Sequence, residues 1–167
     1  MIGPTIIRVG LGYDSHRFGA GGPLKLGGVD IAFDRHLVGH SDGDAVAHAV
    51  TDAILGAVGA GDIGQLFSDG DPTNRGRDSL EMLSVAVGRA RGAGYSVSQV
   101  DVTVVAEAPH IAPYRDAMCA TLARVLCVPS TSVNVKGKTN EGMGWIGRGE
   151  GIACLAVASL APNEQER

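Results

Sequence analysis

Three side chains in the first third of the chain have the types and spacing of metal ligands. Asp14 and His16 are two residues apart at the end of the first predicted strand, so both side chains point to the same side. His48 lies in a predicted helix, opposite Val46 and Val50. One carboxylate and two imidazoles leave an open coordination position, which is typical of a catalytic zinc site. The alternative is that His48 lies on the solvent face of an amphipathic helix, and the spacing leaves both open.

The residues before this helix have features of an anion site. Residues 40–44 (HSDGD) place a hydroxyl and backbone N–H groups at a predicted helix N-terminus. Ser41 also offers an N-cap oxygen three residues before Asp44. Asp44 and Asp52 share the helix face of His48, so either carboxylate can orient its ring. An ordinary capped helix accounts for the same spacing.

A second candidate site lies near the C-terminus. Residues 134–151 carry two lysines, a threonine, two glutamates and an arginine on a glycine-rich loop. Such a loop can bring backbone donors and cations close to phosphates, and Glu141 is a ligand type that magnesium prefers. A solvated hairpin is the alternative. The loop lacks a Walker motif, and Gly10-Leu11-Gly12 does not fit the dinucleotide pattern.

Helices and strands are predicted around these residues in no strict alternation. The predicted strands are 6–13, 24–33 with a break at Gly27-Gly28, 100–107, 132–137 and 151–160. The predicted helices are 42–58, a segment from the cap at Asp78 to Gly92 or Gly94, and a segment between Pro113 and Pro129. The glycine-rich loop 59–76 is long enough to cover a site. This pattern predicts an α+β fold with a mixed sheet and helices on one face, as a single domain over 1–161 with a loose tail at 162–167.

Composition limits the classes of partner. Fourteen Lys+Arg against eighteen Asp+Glu give a net charge of −4, without a basic run, so nucleic acid is not expected. An anionic ligand therefore needs local cations. No apolar segment is long enough for a bilayer and no signal peptide is evident, which predicts a cytoplasmic protein without membrane contact. Cys119, Cys127 and Cys154 form no CxxC pair and are predicted to be reduced core residues.

Five segments together resemble the 2-C-methyl-D-erythritol 2,4-cyclodiphosphate synthase family of the non-mevalonate isoprenoid pathway. They cover nearly the whole chain in the family's order. The segments are GYDSH at 12–16, HSDGDAVAHAVTDA at 40–53, GDIGQLF at 61–67, AEAPHI at 106–111 and GRGEG at 147–151.

The resemblance implies a homotrimer with active sites between neighbouring subunits. Zinc is then expected on Asp14, His16 and His48, and magnesium or manganese on Glu141. The implied reaction is that of a phosphorus–oxygen lyase. In 4-diphosphocytidyl-2-C-methyl-D-erythritol 2-phosphate, the 2-phosphate attacks the β-phosphorus and CMP leaves. No protein nucleophile is required, in agreement with the absence of a nucleophile motif.

The resemblance also implies residue roles. His40 and Thr139 are the expected catalytic residues that stabilise the transition state, and Trp145 and Arg148 are expected at a cavity on the trimer axis that can hold an isoprenoid diphosphate. Because clustered Arg148 side chains repel one another, either Glu150 in the same loop or a bound diphosphate or sulfate is expected to compensate their charge. The segments expected to contact substrate bind the phosphates, the erythritol and the cytidine. Their residues are Asp14, Ser15, His16, His40, Ser41, Asp62, Ile63, Gly64, Phe67, Ser68, Asp69, Gly70, Asp71, Ala106, Glu107, Ala108, Pro109, His110, Ile111, Ala112, Lys138, Thr139, Asn140, Glu141, Trp145 and Arg148.

Four positions depart from the family's pattern, and two other function classes fit the residues. His110 and Lys138 stand where lysine and threonine are common, and they bear on the cytidine and phosphate contacts. Ser68 stands where proline is common, and Trp145 replaces a common phenylalanine and narrows the axial cavity. A zinc hydrolase would use the same three ligands for a metal hydroxide. A metal-stabilised binding module would use them structurally.

Overall fold

The structure is a computed structural model that describes residues 6–68 and 70–163. Its strands are β1 (Arg8–Ala20), β2 (Leu24–Leu26), β3 (Val29–Ile31), β4 (Arg35–Leu37), β5 (Tyr95–Val105), β6 (Val133–Lys138) and β7 (Gly151–Pro162). Its α-helices are α1 (Ala45–Ala57), α2 (Ile63–Leu66), α3 (Ser79–Gly92), α4 (Arg115–Leu126) and α5 (Gly144–Gly147). Short 3₁₀-helices cover Pro72–Asn74, Ala112–Tyr114 and Ser130–Ser132. None of the helices in the described residues has the length and apolar character to span a bilayer.

Five strands form one mixed sheet in the order β4-β1-β7-β5-β6. Neighbouring strands are antiparallel except β5 and β6, which are parallel because the chain crosses over through α4 between them. The predicted α+β class with a mixed sheet is therefore confirmed. The predicted break at Gly27-Gly28 is the turn of a hairpin between β2 and β3, and this turn uses the positive φ angles of the two glycines.

The two faces of the sheet differ in what covers them. On the inner face, α1, α3 and α4 bury alternate strand residues in one core, which includes Val100, Val102 and Leu160. On the outer face, apolar side chains of β1 and β7 are between 39% and 67% exposed. We call this set the outer apolar face, and its residues are Val9, Leu11, Tyr13, Leu155 and Val157.

The sequence predicted the positions of α1 and α3, but it identified the capping residue of only one of them. Asp78 caps α3 as predicted, since its side chain accepts a hydrogen bond from the Leu80 N–H. The prediction that Ser41 caps α1 is wrong: the N-cap is Asp44, whose carboxylate accepts the N–H groups of Val46 and Ala47. A carboxylate immediately before the first helical residue reaches these donors directly.

Three smaller predictions also need correction. The loose tail was predicted to begin at residue 162, but Pro162 belongs to β7 and Asn163 donates its backbone N–H to the Gly94 carbonyl. Residues 164–167 lie outside the described residues. Cys119 and Cys154 are buried, but Cys127, which ends α4 in the left-handed conformation, is exposed. The loop 59–76 contains α2 and a 3₁₀-helix.

Candidate active site

Asp14, His16 and His48 come together where β1 passes under α1. The Asp14 Oδ2 atom lies 2.8 Å from His16 Nδ1 and 3.3 Å from His48 Nδ1. One ligand atom from each residue can be chosen so that all three lie within 4.8 Å of one another. Within the part of the chain that the structure describes, this is the one such group of His, Cys, Asp or Glu side chains. A single ion can therefore contact all three residues.

The sequence of β1 explains why α1 comes so close to these residues. Gly10 and Gly12 precede Asp14 on the inner face of the strand, and a Cβ atom at these positions would lie 1.9 Å from the Ala53 carbonyl oxygen and 1.8 Å from that of Ala49. Only glycine permits this contact between a helix backbone and a strand. The contact places His48, one residue before Ala49, above Asp14.

The electrostatics of the group favour a bound cation. Burial raises the pKa of Asp14, but the adjacent His16 and His48 rings outweigh this and lower it to about 2. Burial lowers the pKa of His48, whereas Asp14, and more weakly Asp44 and Asp42, raise it above its usual value. The carboxylate is thus ionised at neutral pH and available as a ligand.

Two buried atoms of the group lack hydrogen-bond partners. Asp14 Oδ2 and His16 Nδ1 are close together, yet neither has a partner with hydrogen-bond geometry. Buried polar atoms are normally satisfied, and a metal ion satisfies both when it lies between them. Imidazole nitrogens with one carboxylate oxygen are the donor set that zinc accepts in catalytic sites. The residues present therefore fit a zinc ion.

His48 is buried and is not held by the carboxylates proposed from its helix face. Asp44 is fully buried, and its carboxylate accepts hydrogen bonds from the N–H groups of Gly27 and Gly28 as well as from the first turn of α1. Asp52 accepts the Ile63 N–H. The His48 Nε2 atom lies instead 2.9 Å from the Ser41 hydroxyl and 2.8 Å from the Ser79 hydroxyl. Helical periodicity could not find Ser79, because α3 brings it into place from a distant part of the chain.

A cavity of about 370 Å³ opens beside the three ligands. The predicted phosphate-contacting residues His40 and Ser41 line it, and Ser15, Ile63, Gly64 and Phe67 do so as well. Asn74 and Met82 also line it, although no sequence pattern indicated them. A neighbouring cavity of about 730 Å³ shares His40 and is lined by Gly70, Asp71 and the cations Arg17 and Arg75. These two arginines place positive charge at the wall of that cavity.

The residues predicted for cytidine line a separate cavity of about 160 Å³. It lies between the turn after β5 and the end of β6, and its walls include Ala106, Pro109, His110, Ile111, Ala112, Lys138 and Thr139. This cavity and the one beside His48 share no lining residue. Within one chain, the structure therefore presents two parts of the predicted site and does not join them.

The loop after β6 is held by side chains predicted to contact substrate. Glu107 Oε1 accepts the N–H groups of Asn140 and Gly142. Thr139 Oγ1 donates to Glu141 Oε1 over 3.2 Å, and Glu141 has a φ of 52°, which is strained for a residue with a Cβ atom. The Glu141 carboxylate is thereby kept at the exposed tip of the loop.

The remaining predicted residues that the structure describes do not line these cavities. Asp62 caps α2 by accepting the Gln65 N–H, and Ser68 accepts the Gly70 N–H. Arg148 Nε lies 2.6 Å from Glu150 Oε1, so these two side chains form an ion pair within one chain. Ala108 precedes a cis-proline, Trp145 is partly exposed on α5, and Asp69 lies outside the described residues.

Comparisons with known proteins agree with this arrangement. The model of the YgbB family matches residues 7–161. A relative from Gemmatimonas aurantiaca, named 2-C-methyl-D-erythritol 2,4-cyclodiphosphate synthase, is 60% identical over 93% of this chain and 93% of its own length. One with the same name from Rhodopirellula baltica is 48% identical over 95% of each chain.

Solved structures show the same fold. IspF from Plasmodium falciparum in a CDP complex has a TM-score of 0.82 and 37% identity, with 93% of this chain and 96% of that chain covered. The bifunctional IspDF from Campylobacter jejuni has a TM-score of 0.92 and 40% identity, with 95% of this chain and 43% of that chain covered. The family model and these relatives match nearly the whole chain, including the segments that form the two cavities. The chain therefore belongs to the YgbB family, and the relatives named above are 2-C-methyl-D-erythritol 2,4-cyclodiphosphate synthases.

Proposed function

We infer that this chain is a lyase that converts 4-diphosphocytidyl-2-C-methyl-D-erythritol 2-phosphate to 2-C-methyl-D-erythritol 2,4-cyclodiphosphate and CMP. The observation that carries this inference is the metal-ligand group of Asp14, His16 and His48 in the same cavity as His40 and Ser41, in a chain of this family. An oxygen of the 2-phosphate forms a bond to the β-phosphorus. The bond from that phosphorus to the oxygen bridging to the α-phosphate breaks, and this oxygen leaves with CMP.

The protein's part in this reaction is positioning and charge neutralisation. Asp14, His16 and His48 would hold a zinc ion, which supplies positive charge for the diphosphate oxygens. His40 and Ser41, at the wall of the same cavity, would donate hydrogen bonds to the migrating phosphate. Thr139 would donate from the other cavity. Hydrogen bonds that shorten as charge moves onto the leaving oxygen lower the barrier.

Glu141 would hold a magnesium or manganese ion. Its carboxylate is exposed at the tip of a strained loop, where one protein oxygen and the substrate's phosphate oxygens can together coordinate a hard cation. The cavity lined by Pro109, His110 and Lys138 would receive the cytidine. The CDP complex of the Plasmodium falciparum relative supports a nucleotide ligand.

A homotrimer would join the two cavities into three complete sites. Two observations support it: the cavities share no residue within one chain, and the outer apolar face leaves Leu11 and Tyr13 more than half exposed. A cyclic trimer repeats one heterologous contact three times and buries such a face. Trp145 and Arg148 would then surround the axis, where an isoprenoid diphosphate can pair with the arginines.

Product analysis with labelled water tests the reaction. The purified protein, with zinc and magnesium, is incubated with the substrate in H₂¹⁸O, and the products are followed by ³¹P NMR and mass spectrometry. We expect CMP and a cyclic diphosphate without ¹⁸O. CMP with an open-chain 2,4-bisphosphate, and ¹⁸O in one of these two products, would identify a zinc hydrolase instead, and zinc binding without turnover would indicate a binding module.

A further inference from the structure

The hydrogen bonds around the buried Ser79 form a path from His48 to a carboxylate. Ser79 is the first residue of α3 and has no exposed surface. Its hydroxyl lies 2.8 Å from His48 Nε2 and donates a short hydrogen bond to Asp42 Oδ1. The Ser79 N–H also donates to Asp42 Oδ2. Lys25 Nζ lies 3.9 Å from Oδ2 of the same carboxylate.

The hydrogen bond from Ser79 to Asp42 determines which atoms around Ser79 donate and which accept. The hydrogen of the Ser79 hydroxyl is directed to Asp42, so the Ser79 oxygen can only accept from His48 Nε2–H. The Ser41 hydroxyl oxygen lies 2.9 Å from His48 Nε2 and 3.3 Å from the Ser79 oxygen, and it accepts the Gly43 N–H. With the ring proton on Nε2, the hydrogen of Ser41 is left to donate elsewhere. The proton of the His48 ring is then on Nε2. Nδ1, which faces Asp14, keeps its lone pair for a metal.

We propose that Ser79 is a positioning residue for the metal ligand His48: it receives the Nε2–H bond, passes its own hydrogen bond to Asp42, and so fixes the ring with Nδ1 toward the ion. Histidine ligands commonly donate their second N–H to a carboxylate, and here a serine hydroxyl is inserted between the two. Ser41 is thereby left to donate to the substrate's phosphate. The inference rests on the proposed function only in that it uses the same metal site.

Zinc affinity tests this role without turnover. Zn²⁺ is titrated into the metal-free full chain against a chromophoric chelator, for the wild type, Ser79→Ala and Ser84→Ala. Ser84 is an exposed serine of the same helix and serves as the matched control. We expect Ser79→Ala to weaken zinc binding roughly 10- to 100-fold and Ser84→Ala to leave it unchanged. Equal affinities in the two variants, with wild-type circular dichroism in both, would overturn the proposal.

Two further variants separate positioning from general damage. Ser79→Thr keeps the hydroxyl and is expected to restore most of the affinity. Ser41→Ala is expected to bind zinc like the wild type but to raise KM, because Ser79 keeps the Nε2–H bond. At zinc concentrations above its weakened Kd, Ser79→Ala is expected to regain turnover. A loss of zinc affinity in Ser41→Ala equal to that in Ser79→Ala would contradict the assignment.

A measurement on the wild type covers the case in which Ser79→Ala does not fold. In the zinc-loaded protein, ¹H–¹⁵N NMR is expected to show a slowly exchanging Nε2–H proton from His48. A proton on Nδ1, or one that exchanges with water as fast as that of a solvent-exposed ring, would overturn the proposal. If the wild type binds zinc as expected but forms no cyclic product, the proposed function fails and the role of Ser79 still stands.

Discussion

At the scale of single residues, the site depends on a carboxylate shared by two imidazoles. A buried Asp is normally unfavourable, and here the His16 and His48 rings hold the pKa of Asp14 at about 2 in spite of its burial. Hydrogen bonds alone do not complete the group, since Asp14 Oδ2 and His16 Nδ1 have no partner of suitable geometry. A divalent cation resolves both problems at once, so metal binding and the local stability of the fold are coupled.

His48→Ala tests this coupling. Without the imidazole of α1, we expect the loss of the one zinc ion per chain and of turnover. At a zinc concentration 100-fold above its Kd, the wild type is expected to gain about 2.7 kcal/mol of stability and the variant none. Thermal unfolding with zinc or with a chelator measures this difference. His36→Ala replaces an exposed histidine outside the site and is expected to respond to zinc like the wild type; the same zinc response in His48→Ala would contradict the ligand assignment.

Glu141→Gln tests the second metal. The amide keeps the shape of the side chain and can still accept from Thr139, but it binds a hard cation more weakly than a carboxylate does. We expect zinc content to stay at the wild-type level and the magnesium concentration for half-maximal turnover to rise by at least about tenfold. Steady-state kinetics with varied magnesium gives the answer. An unchanged magnesium dependence would show that the carboxylate does not bind this ion.

At the scale of elements, the strand and the helix that carry the ligands were predictable, but their contact was not. Alternation in β1 and helical spacing in α1 locate Asp14, His16 and His48 correctly. The polar face of α1 nevertheless points into the site and not into solvent, because Gly10 and Gly12 bring the helix onto the strand. A periodic pattern shows which residues share a face, and only packing decides what that face contacts.

The same distinction explains the other differences from the sequence-based expectations. Ser79 contacts His48 only because α3 begins next to the segment before α1, and no local pattern records that neighbour. The three-residue strands β3 and β4 are too short for a periodic signal. Asp44 and Asp52 share a helix face with His48. Their carboxylates nevertheless accept hydrogen bonds from backbone N–H groups of other segments.

Gly12→Ala tests the contact between α1 and β1. The added Cβ would lie 1.8 Å from the Ala49 carbonyl oxygen, so the helix must move away from the strand. We expect a loss of about 1–3 kcal/mol in the free energy of unfolding, together with weaker zinc binding. Urea unfolding and zinc titration measure the two effects.

Gly56→Ala is the matched control for this variant. Gly56 is exposed on α1 and an added Cβ would meet nothing within 4 Å. Alanine at this helical position is expected to stabilise the chain by about 0.5–1 kcal/mol. If Gly12→Ala were as stable as Gly56→Ala, the close approach of helix and strand would not control the site.

At the scale of the whole molecule, one chain holds the proposed site in two halves. The ligands of the first metal lie at the junction of β1 and α1, and the Glu141 loop follows β6 at the other side of the sheet. The outer apolar face lies across β1 and β7, between these positions. Contact between copies of the chain through that face would bring one half-site toward another.

Mixed subunits test this arrangement. His48→Ala and Glu141→Gln chains are mixed in equal amounts, unfolded and reassembled, and then assayed at a magnesium concentration too low for Glu141→Gln alone to turn over. If each site takes His48 from one subunit and Glu141 from its neighbour, random cyclic trimers are expected to recover about a quarter of wild-type activity. Light scattering is expected to give the mass of a trimer at micromolar concentration. A mixture that recovers nothing, or a fully active monomer, would show that one chain builds the whole site.

Because only one of the three cysteines is exposed, the folded chain can be labelled at a single site for such assembly experiments. Cys119 and Cys154 are buried, and burial raises the pKa of both thiols, which disfavours their reactive thiolates. Cys127 is exposed at the end of α4. One maleimide fluorophore per folded chain is therefore expected, and three only after denaturation, as mass spectrometry can count. Chains labelled separately with donor and acceptor dyes would then report subunit exchange by energy transfer, without any engineered cysteine.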